Sequence, residues 1–113
     1  MKKILLFTTI IVTSLLVPAP TKADNLTLRI CQYIQTNDKS RLRAYLKQNK
    51  LKVRKIYDGM RCNGDNLLIF SAKSNAIEVG KFIIGKLPSK KVKPEIENLA
   101  KHSVDLAEAA QDR

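Results

Sequence analysis

Eight basic residues lie between positions 39 and 57: Lys39, Arg41, Arg43, Lys47, Lys50, Lys52, Arg54 and Lys55. No Asp or Glu interrupts them. On a continuous helix Lys39, Arg43, Lys47 and Lys50 stand at i, i+4, i+8 and i+11, a stripe opposite Leu42 and Leu46. Such a stripe attracts phosphates, acidic polymers and anionic lipid headgroups. The same residues also read as the solvated face of a basic protein. Tyr45 and Tyr57 lie within the run, and aromatic rings among cations can stack on bases. Tyr45 fits the apolar face better, and nucleic acid is not the expected partner.

The two cysteines, Cys31 and Cys62, offer a second chemistry. The alternatives are a disulfide or a redox or metal site. No Cys-x-x-Cys is present, and one histidine is too few for a zinc cage. The spacing therefore reads as a structural disulfide closing a loop of about 32 residues, worth roughly 3–4 kcal/mol in the chain-entropy model.

Other residues with chemical potential are poorly placed. His102 has Asp105 three positions later, so the two could pair on one helix face, but no activated nucleophile accompanies them. Asp58 and Asp65 could form the carboxylate pair of a hydrolase, yet each adjoins a turn that explains it. Asn63-Gly64-Asp65-Asn66 lacks the spaced acids and the bidentate glutamate of a calcium loop. No catalytic residue, metal site or cofactor is assigned, and the chain does not read as an enzyme.

The elements that would position these residues are mostly helical. Leu26, Ile30, Cys31, Tyr33 and Ile34 make a helical stripe over 26–35. Asn37 or Asp38 can cap a second helix over 39–49, with Leu42, Tyr45 and Leu46 as its apolar face. Residues 51–62 alternate apolar and basic side chains and contain Asp58-Gly59, so a short β-hairpin is expected there. Asn63-Gly64 forms a further turn. Asn66 caps a helix over 67–73, and a fourth helix runs over 77–87. Gly80 and Gly85 weaken that helix by up to ~1 kcal/mol each, and close helix packing would explain both. Pro88 ends it. Residues 89–93 read as a polar linker, and Pro94 opens a C-terminal helix bearing Ile96, Leu99, Ala100, Val104, Ala107 and Ala110. The expected fold is a mainly α domain of about five helices: two helix pairs plus the terminal one.

The chain's 21 Lys and Arg face 10 Asp and Glu, a net charge of +11. Its start adds a destination. Met1-Lys2-Lys3 is followed by fourteen uncharged residues to Val17, then Pro18, Pro20 and Thr21-Lys22-Ala23. This patterns as a Sec-type signal peptide, residues 1–23, cut after Ala23. The apolar run is shorter than the ~20 residues of a membrane span. Residues 24–113 would then form one exported domain, periplasmic or secreted, with a disulfide-linked part over 24–88 and the linker and terminal helix over 89–113. Its net charge would be +8, from 18 Lys and Arg against 10 Asp and Glu. No integral membrane span remains after the cut.

Two resemblances bear on this reading. Gly64-Asp65-Asn66-Leu67-Leu68-Ile69-Phe70-Ser71-Ala72 through Glu78-Val79 to Ile83-Ile84 resembles one ankyrin repeat, a glycine turn followed by a helix pair. Residues 28–48 resemble a degenerate first repeat. Stable arrays use three or more repeats and the chain has room for two, so the resemblance implies ankyrin-like helix pairs that would bind protein. The order Cys31, Tyr33, Asp38-Lys39, Leu42-Arg43, Leu46-Lys47, Arg54, Ile56-Tyr57-Asp58-Gly59, Cys62-Asn63-Gly64, Leu67-Leu68, Phe70 and Gly80 resembles a family of small exported proteobacterial proteins that carry a domain of unknown function. That resemblance implies export and a disulfide, and no activity. The expected role is a small interaction module engaging an acidic protein or an anionic envelope component through the basic face. The alternatives are a structural or stress-related envelope protein with no fixed ligand, or a small hydrolase.

Overall fold

The computed structural model describes residues 22–113, with side chains from Asn25 onward. The leader expected over residues 1–23 lies outside them, apart from Lys22 and Ala23, whose backbone opens the first helix. Eight α-helical segments follow among the described residues: α1 (Lys22–Gln35), α2 (Lys39–Gln48), α3 (Val53–Ile56), α4 (Leu67–Lys73), α5 (Ile77–Lys86), α6 (Ser89–Val92), α7 (Ile96–His102) and α8 (Val104–Gln111). A 3-10 turn at Lys93–Glu95 precedes α7. The mainly helical class expected from the sequence holds.

The helices group as three pairs, α1/α2, α4/α5 and α7/α8. Helix α4 packs on both α1 and α7, and α5 packs on both α2 and α8. The pairs therefore stack in chain order. Two pairs were expected, and the third comes from the stretch read as a linker and one terminal helix. That stretch breaks at Ser103, whose extended backbone (φ −157°, ψ 106°) ends α7 while its hydroxyl accepts from the Leu106 amide to start α8. The break turns Val104, counted on the apolar stripe, out to solvent, and leaves Leu99, Leu106 and Ala110 fully buried. The "linker" is itself helical, with Val92 fully buried.

Local chemistry explains the turns inside the first two pairs. Asn37 and Asn75 adopt φ of 55° and 56°, the left-handed conformation that asparagine tolerates. Around each, the amide three residues beyond the helix end reaches back five residues instead of four: Asp38 N–H to the Tyr33 carbonyl, Ala76 N–H to the Ser71 carbonyl. This is the Schellman arrangement, which satisfies carbonyls a helix end leaves open. The same closure ends α2, where Lys50 sits at φ 55° and Leu51 N–H reaches the Leu46 carbonyl. Asp38 caps α2 through the Arg41 amide at 3.1 Å, and Asn66 caps α4 through the Ile69 amide at 2.8 Å. No side chain of its own caps α5. Asn37 reaches across from the first pair instead, its Oδ1 accepting from the Val79 amide at 3.0 Å.

The hairpin expected over 51–62 does not form. Val53, Ile56 and Tyr57 are spaced three and four apart, the period of one helical turn, and Val53 and Tyr57 are buried on the same side. The basic residues between them imitate strand alternation. A single bridge between Cys62 and Asp65 closes over Asn63-Gly64 instead, with both turn residues at positive φ (53° and 81°).

Cys31 and Cys62 are bonded, as expected, and tie α1 to the turn before α4. The core is continuous through the stack, from Ile30, Ile34 and Leu42 through Leu67, Leu68, Val79 and Ile83 to Leu99 and Leu106. Of the two α5 glycines, Gly80 serves packing. A Cβ there would stand 2.5 Å from Leu106 Cδ1, so α8 can approach only because position 80 has no side chain. Gly85 does not serve packing, since a Cβ there meets nothing within 4 Å.

Candidate functional site

The C-terminal ends of α2 and α5 and the turn entering α3 enclose a surface cleft of about 550 Å³. Its rim carries Arg43 and Lys47 from α2, Lys52 from the turn, Arg54 from α3, Lys86 from α5, and Arg113 after α8. Leu46, Leu51, Val53, Phe82 and Gly85 complete the lining, and no Asp or Glu side chain takes part. Leu46 and Val53 are buried, while Leu51 and Phe82 are half-buried, so the apolar groups lie recessed among the cations.

Three of the six cations have a structural reason to be near, and the reasons differ. Lys47 and Lys86 occupy the last turns of α2 and α5, where the helix dipole favours positive charge. The Lys86 ammonium also lies 5.6 Å from the Phe82 ring centroid, within cation–π range. Arg113 donates from Nε to the carbonyls of Ile84 and Leu87, at 3.1 and 3.0 Å, and so closes the end of α5. Arg43, Lys52 and Arg54 are exposed and form no ion pair among the described residues. The charge around the cleft is thus largely uncompensated by the protein itself.

The structure brings together four of the eight basic residues read from the sequence: Arg43, Lys47, Lys52 and Arg54. Lys39, Arg41, Lys50 and Lys55 lie outside the cleft lining. Arg41 is held in an exposed ion pair with Asp38 at 3.4 Å. Lys50 leaves the stripe because α2 ends at Gln48, so three residues rather than four share that helix face. Sequence reasoning missed Lys86 and Phe82, which reach the cleft through the packing of α5 beside α2, and Arg113, which α8 brings to the end of α5. The signal for Phe82 and Lys86 was faint: Lys81 and Lys86 bracket Phe82 on a largely apolar helix.

The other sequence candidates disperse. His102 and Asp105 fall on different helices and are both exposed. Asp58 binds Lys91 at 2.9 Å and Asp65 binds Lys73 at 3.1 Å, so each carboxylate is engaged by a different lysine. Tyr57 is buried, with its hydroxyl unpartnered, and cannot stack on an external base. Tyr45 meets Tyr33 edge to face at 5.7 Å. Among the described residues, no three His, Cys, Asp or Glu side chains converge as metal ligands, and no helix is long and apolar enough to cross a membrane.

These features define a class: a small disulfide-closed stack of helix pairs with one basic cleft at its side. A family model described as a protein of unknown function (DUF3718) matches residues 30–93, more than half of the chain. The protein belongs to that family. The matched span includes both cysteines, the whole basic run and every cleft residue except Arg113. No curated protein and no solved structure matches the chain. The disulfide suits a compartment outside the reducing cytoplasm.

Proposed function

We propose that this protein is an exported interaction module that holds an acidic partner, either an acidic protein or an anionic envelope component, in the basic cleft. The supporting observation is the group of six cations, Arg43, Lys47, Lys52, Arg54, Lys86 and Arg113, around one concavity with no Asp or Glu in its lining. Gathering like charge costs stability through mutual repulsion. An anion in the cleft offsets that cost, and the exposed side chains of Arg43, Lys47, Lys52 and Arg54 are open to receive one. Export to the periplasm or the medium is supported by the lysine-led apolar run over residues 4–17 and by the disulfide.

The test is retention of the oxidised protein on a polyanion such as immobilised heparin or polyglutamate. Retention weakens steeply with salt. Replacing Arg43, Lys47, Lys52 and Arg54 by Gln lowers the slope of log affinity against log salt by about 3, since each neutralised contact contributes roughly 0.7–0.9 on a phosphate polyanion. Unchanged retention in that variant would show that the charges only solvate the surface.

A further inference from the structure

Charge alone does not account for the cleft. Its floor is apolar, formed by Leu46, Leu51, Val53 and Phe82. Beside Phe82, position 85 is a glycine inside a helix, where glycine is less favourable than alanine by up to ~1 kcal/mol. Neither of the usual structural reasons applies: the backbone there is not left-handed, and no neighbour stands within 4 Å of where a Cβ would be. Gly80, five residues earlier, shows what a packing requirement looks like, because α8 presses directly against it. What Gly85 does is leave the wall of the cleft bare next to the Phe82 ring.

We propose that the occupant of the cleft is an acidic peptide segment carrying an apolar side chain. Its carboxylates lie on Arg43, Lys47, Lys52 and Arg54, and its apolar group sits against Phe82 in the space above Gly85. This rests on the reading of the cleft as an anion site and adds a second point of recognition. A bare phosphate or a purely polar polyanion would leave the apolar floor unused. A lipid surface needs apolar side chains that project outward past the basic ones, whereas here they are recessed beneath them. A peptide brings its own apolar group into the recess, and the six cations fix the sign of its other residues. A groove flanked by stacked helix pairs suits an extended segment.

Fluorescence anisotropy of the oxidised protein with two labelled peptides tests the proposal. One alternates Glu and Ser, and the other replaces a central Ser by Phe. The Phe peptide binds about tenfold tighter, the gain expected from partial burial of one aromatic side chain. Gly85→Leu fills the recess and removes that gain, so the two peptides bind it equally, and its melting temperature stays at or a few degrees above the parent's because leucine is the better helix former. Phe82→Ser reduces the gain as well. Equal affinity for the two peptides, or a gain that survives Gly85→Leu, overturns the two-point site while the anion site stands. Binding of neither peptide, with tight binding to phosphatidylglycerol vesicles, overturns the peptide as occupant and leaves the basic cleft a lipid contact. Binding of neither peptides nor vesicles overturns the anion site itself.

Discussion

Two glycines five residues apart in α5 should respond to alanine in opposite directions. Both lie within Ile77–Lys86, so alanine gains helix propensity at each. The gain is up to about 1 kcal/mol in the helix interior and about half that near the end, where residue 85 sits. At position 85 nothing opposes it, because a Cβ enters open space. Gly85→Ala therefore stabilises by about 0.5 kcal/mol, raising the melting temperature by a few degrees in a domain of this size. At position 80 the Cβ would stand 2.5, 2.6 and 3.1 Å from Leu106 Cδ1, Cδ2 and Cγ. Leu106 is fully buried and cannot swing into solvent. Either α8 shifts or Leu106 leaves its rotamer, and overpacking of this kind costs about 1–3 kcal/mol. The propensity gain offsets part of that cost, leaving Gly80→Ala net destabilising by up to about 2 kcal/mol.

Thermal and urea unfolding of the oxidised protein, followed by circular dichroism, measures both. A double-mutant cycle with Leu106→Ala isolates the contact. Leu106→Ala alone removes a buried leucine and costs about 2–5 kcal/mol. In the Gly80→Ala background it costs at least about 1 kcal/mol less, because it also relieves the clash. If Gly80→Ala stabilises as much as Gly85→Ala, or if the cycle shows no coupling, then α8 does not pack on α5 at this point and the third helix pair is misplaced.

Two other sites give sharp readings. Asn37 holds a left-handed turn and caps α5 from the neighbouring pair. Asn37→Ala loses both and costs about 1–2 kcal/mol, while Asn37→Gly keeps the turn and costs roughly 1 kcal/mol less; equal costs in urea unfolding would mean the turn conformation contributes nothing. Burial, and next the nearby Glu95 carboxylate, push the Tyr57 phenol above its ordinary value of 10.0. A raised folded pKa favours the neutral phenol, so this contribution is intact below pH 10 and declines above it, by up to about 1.4 kcal/mol per pH unit. Tyr57→Phe abolishes that part of the alkaline loss. It is neutral or stabilising by up to about 1 kcal/mol at pH 7, since the hydroxyl has no partner. Identical losses in the two proteins between pH 9 and 11 would contradict the burial of this hydroxyl.

Where the sequence was legible, one residue type at one position sufficed. Asn66 before an apolar run, Asn63-Gly64 and Ser74-Asn75 each announce a cap or turn, and the helices begin and end there. The pairing of two cysteines needs no geometry when no third exists. Reading failed where two mechanisms produce the same pattern over a short window. Val53 to Tyr57 satisfies both strand alternation and one helical turn, and the burial of Val53 with Tyr57 decides for the helix. Ile96 to Ala110 satisfies an unbroken helical period on paper, and only the hydroxyl of Ser103, competing for the Leu106 amide, divides it. Ser103 with Asp105 two positions later is a helix-start signature, but it lies inside a periodic run that conceals it.

The candidate site was half legible for a related reason. A run of basic residues is visible in one dimension, and whether it forms a stripe or a cleft depends on what packs beside it. Lys50 lost its place because Gln48 ends the helix, and Lys86 gained one because α5 lies beside α2. Gly85 carries the most information of the residues around the cleft, although its identity at first suggested only packing. In the sequence it is indistinguishable from Gly80. In the fold one glycine is required by Leu106, and the other is required by nothing the protein itself places there. A residue that weakens a helix without structural need is the kind of local conflict expected at a working surface, and here it opens onto an uncompensated ring of positive charge.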